Sequence, residues 1–83
     1  MDQLESLRNP SLRVVGANQV VKALEADRVQ QVFLGKDADG MIYYRVNGLC
    51  EEKRVPVTQI ETMQELGKLC AISVKAAAAA LLK

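Results

Sequence analysis

Val74-Lys75-Ala76-Ala77-Ala78-Ala79-Ala80-Leu81-Leu82 is the stretch on which the fold turns. Alanine has the highest helix propensity, so a local reading makes this segment a helix. The order of the elements before it argues otherwise. Upstream, the apolar patterning runs strand, helix, strand, helix, strand, helix, and a seventh element that closes the sheet is a strand. Small side chains also suit a central strand pressed between helices. The pattern outweighs the propensity here. The predicted architecture is a three-layer α/β/α sandwich with a four-stranded sheet and helices on both faces.

Working outward from that strand, Thr62-Met63-Gln64-Glu65 has the form of a capping box, with Thr62 as cap and Glu65 reaching back. Met63, Leu66 and Cys70 continue a helix at i, i+3 and i+7. Val55 to Ile60 alternates as a strand does, and Pro56, lacking an N–H, places it at an edge or a strand start. Met41 to Lys53 is a helix on the spacing of Ile42, Val46, Leu49 and Lys53, although Gly48 inside it costs about 1 kcal/mol against alanine. Gly35 to Gly40 is a loop, and Val29 to Leu34 is a buried strand. Ala17, Val20, Val21 and Leu24 form one apolar helical stripe that ends near Asp27. Gly16 separates this helix from a strand over Leu12 to Val15. Asp2 to Leu7 is a short helix stopped by Asn9 and Pro10.

Composition bounds the function. The chain has 83 residues, enough for one small domain over residues 1–83. Eleven Lys and Arg stand against ten Asp and Glu, a net charge of +1, so bulk charge supplies no attraction to nucleic acid. Any such binding needs a local cluster. Histidine is absent, which removes the commonest general base and all His-ligated metal sites. The two cysteines, Cys50 and Cys70, are too few for a structural zinc site or a disulfide framework. They read as reduced, partly buried thiols. No secretory leader is visible, and no apolar run reaches the ~20 residues that span a bilayer. The expected compartment is the cytoplasm.

Three segments carry candidate chemistry. Gly16-Ala17-Asn18-Gln19-Val20-Val21-Lys22 lies where a strand turns into a helix, and backbone N–H groups there favour phosphate. Asn18 and Lys22 share a face opposite the apolar stripe, with Gln19 beside them. Such a comb of amides and an ammonium can donate to guanine O6 and N7. The plain alternative makes Asn18 an N-cap and leaves Gln19 and Lys22 on a solvated face. A phosphate-binding P-loop is excluded, because the second glycine and the following Ser/Thr are missing. Lys36-Asp37-Ala38-Asp39-Gly40 sits at the carboxyl end of a strand, where ligands tend to bind. Its two carboxylates suit acid/base work or a metal, or else a turn with Asp39 as N-cap. Leu69-Cys70-Ala71-Ile72-Ser73-Val74 is a loop whose Ile72 and Val74 either tuck into the core or form an exposed contact. Cys70 has no His or acidic orienter and is rejected as a nucleophile. Arg45, Lys53, Arg54, Glu51 and Glu52 read as a mixed solvated surface.

The GANQxxK segment, the KDAD loop and the ELGKLCAISVKAAAAAL ending together resemble the kink-turn RNA-binding family of ribosomal proteins. That family includes the archaeal L-seven-Ae type and the eukaryotic thirty-e type. The chain looks most like the small bacterial YbxF-like homologues, over about Leu12 to Leu82. The resemblance implies a mixed four-stranded sheet whose last strand is entered by the alanine-rich segment. It implies binding to RNA kink-turns, in which tandem sheared G·A pairs follow a bulge. Gly16, Ala17, Asn18, Gln19 and Lys22 correspond to the residues that contact the sheared pairs. Ala71, Ile72, Ser73 and Val74 correspond to the loop that packs on bulged nucleotides. Ala17 stands where Thr is common, Gln19 where Glu is common, and Ser73 where an acidic residue is frequent. Bacterial relatives often carry Lys at the position of Asn18.

The expected function is therefore that of a non-catalytic RNA-binding protein, ribosome-associated and monomeric, that stabilises the bent form of a kink-turn. Its expected RNA-contact residues are Gly16, Ala17, Asn18, Gln19, Lys22, Lys36, Ala71, Ile72, Ser73 and Val74. No catalytic residue, metal, cofactor or membrane partner is expected. The alternative is a protein-interaction module on the same fold, using the 70–75 loop. A small enzyme built on the KDAD loop ranks below both.

Overall fold

The alanine-rich segment forms an inner strand, paired on both of its edges. The computed structural model describes residues 3–83. The elements are α1 (Gln3–Ser6), β1 (Arg13–Val15), α2 (Ala17–Glu25), β2 (Val29–Gly35), α3 (Gly40–Lys53), β3 (Val57–Ile60), α4 (Met63–Leu69) and β4 (Ala78–Leu82). The strand order is β1-β4-β2-β3. β4 is antiparallel to β1 and β2, while β2 and β3 are parallel. The sheet is therefore mixed and the α/β/α expectation holds. Asp2, where the first helix was expected to start, lies outside the described residues.

Local propensity loses in β4 for a simple reason. A short isolated helix is marginal in water even when rich in alanine. In the sheet, Ala80 faces Val14 on one side and Val32 on the other, so both ladders are completed. Successive side chains leave opposite faces of a strand. Ala78 and Ala80 pack with Val20, Val21, Leu24, Val46 and Cys50, under α2 and α3. Ala79 and Leu81 pack with Leu7, Leu66 and Cys70, on the α4 side. β2 divides its side chains the same way, with Val32 and Leu34 on the first face and Phe33 on the second. Alanine leaves room for a helix on either side.

The expected strand over Val74 to Leu82 is shortened to Ala78–Leu82. The preceding residues bond elsewhere. Ala76 N–H donates to Met63 O at 3.0 Å, and Ala77 O accepts from Gly35 N–H at 3.0 Å. The segment thus runs back along α4 before entering the sheet. β3 likewise starts at Val57 rather than Val55. Pro56 precedes this edge strand, and its carbonyl still accepts from Val32 N–H at 3.0 Å.

Three helices close with the same left-handed turn, and none uses glycine for it. Asp27, Arg54 and Ala71 have φ of 55°, 58° and 58°. After α2, Arg28 N–H donates to Ala23 O and Asp27 N–H to Leu24 O; after α3, Val55 N–H to Cys50 O and Arg54 N–H to Glu51 O. After α4, Ile72 N–H donates to Gly67 O and Ala71 N–H to Lys68 O. These paired bonds are the Schellman pattern. In the α4 case the residue after the turn, Ile72, packs back on the core beside Leu66.

Gly67 is required by close approach. A Cβ there would overlap the carbonyl oxygen of Val74. Gly48, in the exposed part of α3, has nothing within 4 Å of the corresponding point. The same substitution should therefore have opposite signs at the two sites. Gly48→Ala is expected to stabilise by about 1 kcal/mol through helix propensity. Gly67→Ala is expected to destabilise by about 1–3 kcal/mol through overpacking. Urea unfolding of both variants checks the pair.

Candidate functional site

Strand directions decide what lies together. β1 ends at Val15, opposite Ala79, while β4 begins at Ala78. β2 ends at Leu34 and Gly35, opposite Ala78 and Ile60 respectively. The carboxyl ends of β1, β2 and β3 and the start of β4 therefore share one end of the sheet. Each of the first three strands leads into a helix, so α2, α3 and α4 all present their N-termini there. Gly16 N–H donates to Ala78 O at 2.8 Å, Gly35 N–H to Ala77 O, and Lys36 N–H to Ile60 O at 2.8 Å. The segment leading into β4 is thus bonded to the GANQ segment on one side and to Gly35, at the start of the KDAD loop, on the other, and that loop is bonded in turn to the end of β3.

Two of the three helix N-termini are closed by side chains. Asp39 Oδ1 accepts from Met41 N–H at 2.9 Å and caps α3. Thr62 Oγ1 accepts from Glu65 N–H at 3.0 Å and caps α4. Asp37 Oδ1 accepts from Met63 N–H at 2.7 Å, tying the KDAD loop to the same helix. Both carboxylates of that loop therefore serve helix ends, Asp39 as the turn reading expects and Asp37 in a role the sequence does not announce. Among the described residues, no group of three or more Cys, Asp or Glu is placed to hold a metal ion.

The N-terminus of α2 is left open. Its cap position is Gly16, which makes no side-chain hydrogen bond. With φ at 102°, Gly16 occupies a conformation that favours glycine. Asn18 is inside the helix, so the N-cap reading of this residue is set aside. Val20, Val21, Ala23 and Leu24 are buried, while Asn18, Gln19 and Lys22 are exposed on the other side. Among the described residues, these three side chains have no hydrogen-bond or ion-pair partner. Ala17 is half-buried against the core beneath them.

The other expected residues fall into distinct settings. Lys36 reaches this end, but its Nζ pairs with Glu61 Oε1 at 3.0 Å. That pair is exposed and worth about 1 kcal/mol or less, so it exchanges readily. Ala71 and Ser73 are exposed. Ile72 and Val74 divide: Ile72 packs on the core, and Val74 is 66% exposed. Only Val74 of the two presents a broad apolar surface.

Arg45 is exposed, as the solvated-surface reading expects, and it also lines a depression at this end. Arg45 and Ile42 on α3 face Gly16, Ala17, Asn18 and Gln19 across one depression. Lys68 and Lys75, which the sequence does not single out, line a groove with Ile72 and Val74 between α4 and the 71–75 loop. The available signal was the alternation itself, which brings the first turns of successive helices to one end.

The thiols lie outside this surface. Cys50 and Cys70 are buried. Burial pushes the Cys50 thiol up to about 11 from its ordinary 9.0. Burial also raises Cys70, against a lowering influence of Arg13. Both are protonated at neutral pH and unsuited to nucleophilic work. For Cys50 the unfolded thiol ionises near 9.0 and the native one near 11. Its contribution to stability is therefore intact below about 9 and declines as pH rises to about 11. Urea midpoints measured across that interval should fall less steeply in Cys50→Ala than in the natural chain. Equal slopes would contradict the burial argument.

Comparisons with known proteins agree with this layout. The model of the ribosomal protein L7Ae/L30e/S12e/Gadd45 family matches residues 2–83. An RNA-binding protein of Caldanaerobacter subterraneus subsp. tengcongensis is 45% identical over 71 residues, 86% of this chain and 87% of its own. The RNA-binding protein YbxF of Geobacillus stearothermophilus is 40% identical over 70 residues, 84% of this chain and 85% of its own. Among solved structures, the Giardia lamblia 15.5kD RNA binding protein matches with a TM-score of 0.86 at 27% identity. That match covers 96% of this chain and 68% of the other.

Proposed function

The chain belongs to the ribosomal protein L7Ae/L30e/S12e/Gadd45 family, and we propose that it is a non-catalytic RNA-binding protein that recognises kink-turn motifs. The observation that carries this reading is the open N-terminus of α2. Of the three helices that point at this end of the sheet, α3 and α4 are capped and α2 is not. Unpaired donors and the positive end of a helix dipole attract a phosphate. Beside them lie Asn18 and Gln19, with Lys22 further along the same exposed side, and among the described residues all three are donors without partners. They match the chemistry of guanine edges in sheared G·A pairs. Regular A-form RNA hides its major-groove edges in a deep narrow groove. A sharp kink opens that groove, so the kinked form is the one these short side chains can reach.

In this reading Gly16 and Ala17 allow close approach of the backbone. Lys36 exchanges Glu61 for phosphate. The loop of Ala71, Ile72, Ser73 and Val74 covers a bulged nucleotide, with Val74 supplying the apolar contact. A ligand that binds only the bent form shifts the RNA toward it, so the protein stabilises the kink. We assign residues 1–83 to a single RNA-binding domain, acting as a monomer in the cytoplasm and associated with the ribosome. No helix among the described residues is long and apolar enough to cross a membrane. The rival reading of the 70–75 loop as a protein-docking site has a reduced apolar surface to draw on, because Ile72 is partly buried against the core.

Calorimetric titration tests the proposal at one fixed salt concentration. The ligand is a model kink-turn RNA, and the control has its sheared pairs replaced by Watson–Crick pairs. Tight binding to the first and weak binding to the second is expected. Asn18→Ala is expected to cost about 1–3 kcal/mol, as loss of a base-edge contact does, and Lys22→Ala to lower the salt dependence. Equal affinity for both RNAs, or none for either, would remove kink-turn recognition.

A further inference from the structure

The N-terminal half of α3 carries an apolar face that the fold does not use. Met41 is 84% exposed and Tyr44 is 75% exposed, more than any other large hydrophobic side chain among the described residues. With Arg45 they occupy i, i+3 and i+4, one side of the helix. Gly48 follows on the same side, with open space where a side chain would stand. A glycine inside a helix is unfavourable, and packing gives no reason for this one.

Tyr44 has a fixed support. The Tyr43 ring stands edge-on to it, with centroids 5.8 Å apart and planes at 78°. Tyr43 is itself held, packing against the core while its hydroxyl accepts a hydrogen bond from the Gln59 amide on β3. The ring face of Tyr44 is therefore presented to solvent in an ordered way, and the missing Gly48 side chain keeps its approach clear. The face is also continuous with the depression at Asn18 and Gln19, because Arg45 and Ile42 form one wall of it. Helical side chains lean toward the N-terminus, which directs Tyr44 and Arg45 to that end. Asp39 also lines this face, but its carboxylate accepts from Met41 N–H. Arg45 has no carboxylate partner among the described residues.

We infer that Met41, Tyr44, Arg45 and Gly48 form a stacking platform for an unpaired nucleotide of single-stranded RNA leaving the bound motif. The inference rests on the RNA reading above and adds a second, sequence-tolerant contact to it. Tyr44 takes the face of the base, Arg45 meets its phosphate, and Met41 covers its edge. Aromatic stacking needs no particular base, because every base has a π-face.

The test titrates the full chain with a blunt-ended kink-turn RNA and with the same RNA carrying a single-stranded extension. The extension is about six nucleotides long, contains 2-aminopurine, and is placed on each strand end in turn. One of the extensions is expected to tighten binding about ten-fold and to quench the 2-aminopurine fluorescence. Tyr44→Ala is expected to remove both effects while keeping the affinity for blunt RNA, and Tyr44→Phe to keep both. Extensions that add nothing for the natural chain, or a gain that survives in Tyr44→Ala, would overturn the platform. Failure to bind even the blunt RNA would overturn the RNA reading beneath it.

Discussion

Two backbone hydrogen bonds at the head of β4 hold the candidate surface together. Ala78 O accepts from Gly16 N–H, and Ala77 O accepts from Gly35 N–H. Through the first, the open N-terminus of α2 is set beside β4. Through the second, the KDAD loop is set on the other side. Both bonds require β4 to be an inner strand, and that requires side chains small enough to lie under helices on both faces. The run of alanines is therefore the condition for the site, although no alanine of β4 belongs to it.

The helix ends show how the two ends of the molecule differ. At the carboxyl ends of β1, β2 and β3 the helices present N-termini, and capping closes two of them. At the opposite end α2 and α3 present C-termini, which carry partial negative charge. Arg28, Lys53 and Arg54 gather there, and Lys53 pairs with Asp27 at 3.2 Å. Those cations have a structural partner in the helix dipoles. Lys22 likewise lies in the last turn of α2, whereas Arg45, in the first half of α3, lines the depression beside the open N-terminus of α2. A near-neutral chain can thus contain a local surface suited to an anion.

Much of this was legible in the residues. Periodicity and the turn residues placed the helices and strands to within a few positions, and the strand reading of the alanine run followed from element order. Thr62 and Asp39 were recognisable as caps. What stayed hidden depended on contacts between segments far apart in the chain. The bond from Ala76 to Met63 shortened β4, and no local pattern reports it. The left-handed turn at Ala71 sent Ile72 inward and left Val74 outside, a split that two similar apolar residues do not announce. Asn18 was readable as a cap because asparagine favours caps. The actual cap is Gly16, whose backbone conformation composition does not reveal. Arg45 reads as ordinary surface and is exposed; what no local pattern reports is that α2 lies across a depression from it.

The central claim is that RNA engages the end of the sheet where α2 is uncapped. Amide chemical-shift mapping of the chain with a kink-turn RNA tests it most directly. The account predicts the largest changes at Gly16 to Lys22, at Lys36 and at Ala71 to Lys75, with little change at the opposite end. Changes concentrated instead at Arg28, Arg54 and Lys83 would contradict it. They would mean that RNA follows the cations at the helix C-termini rather than the open donors of α2.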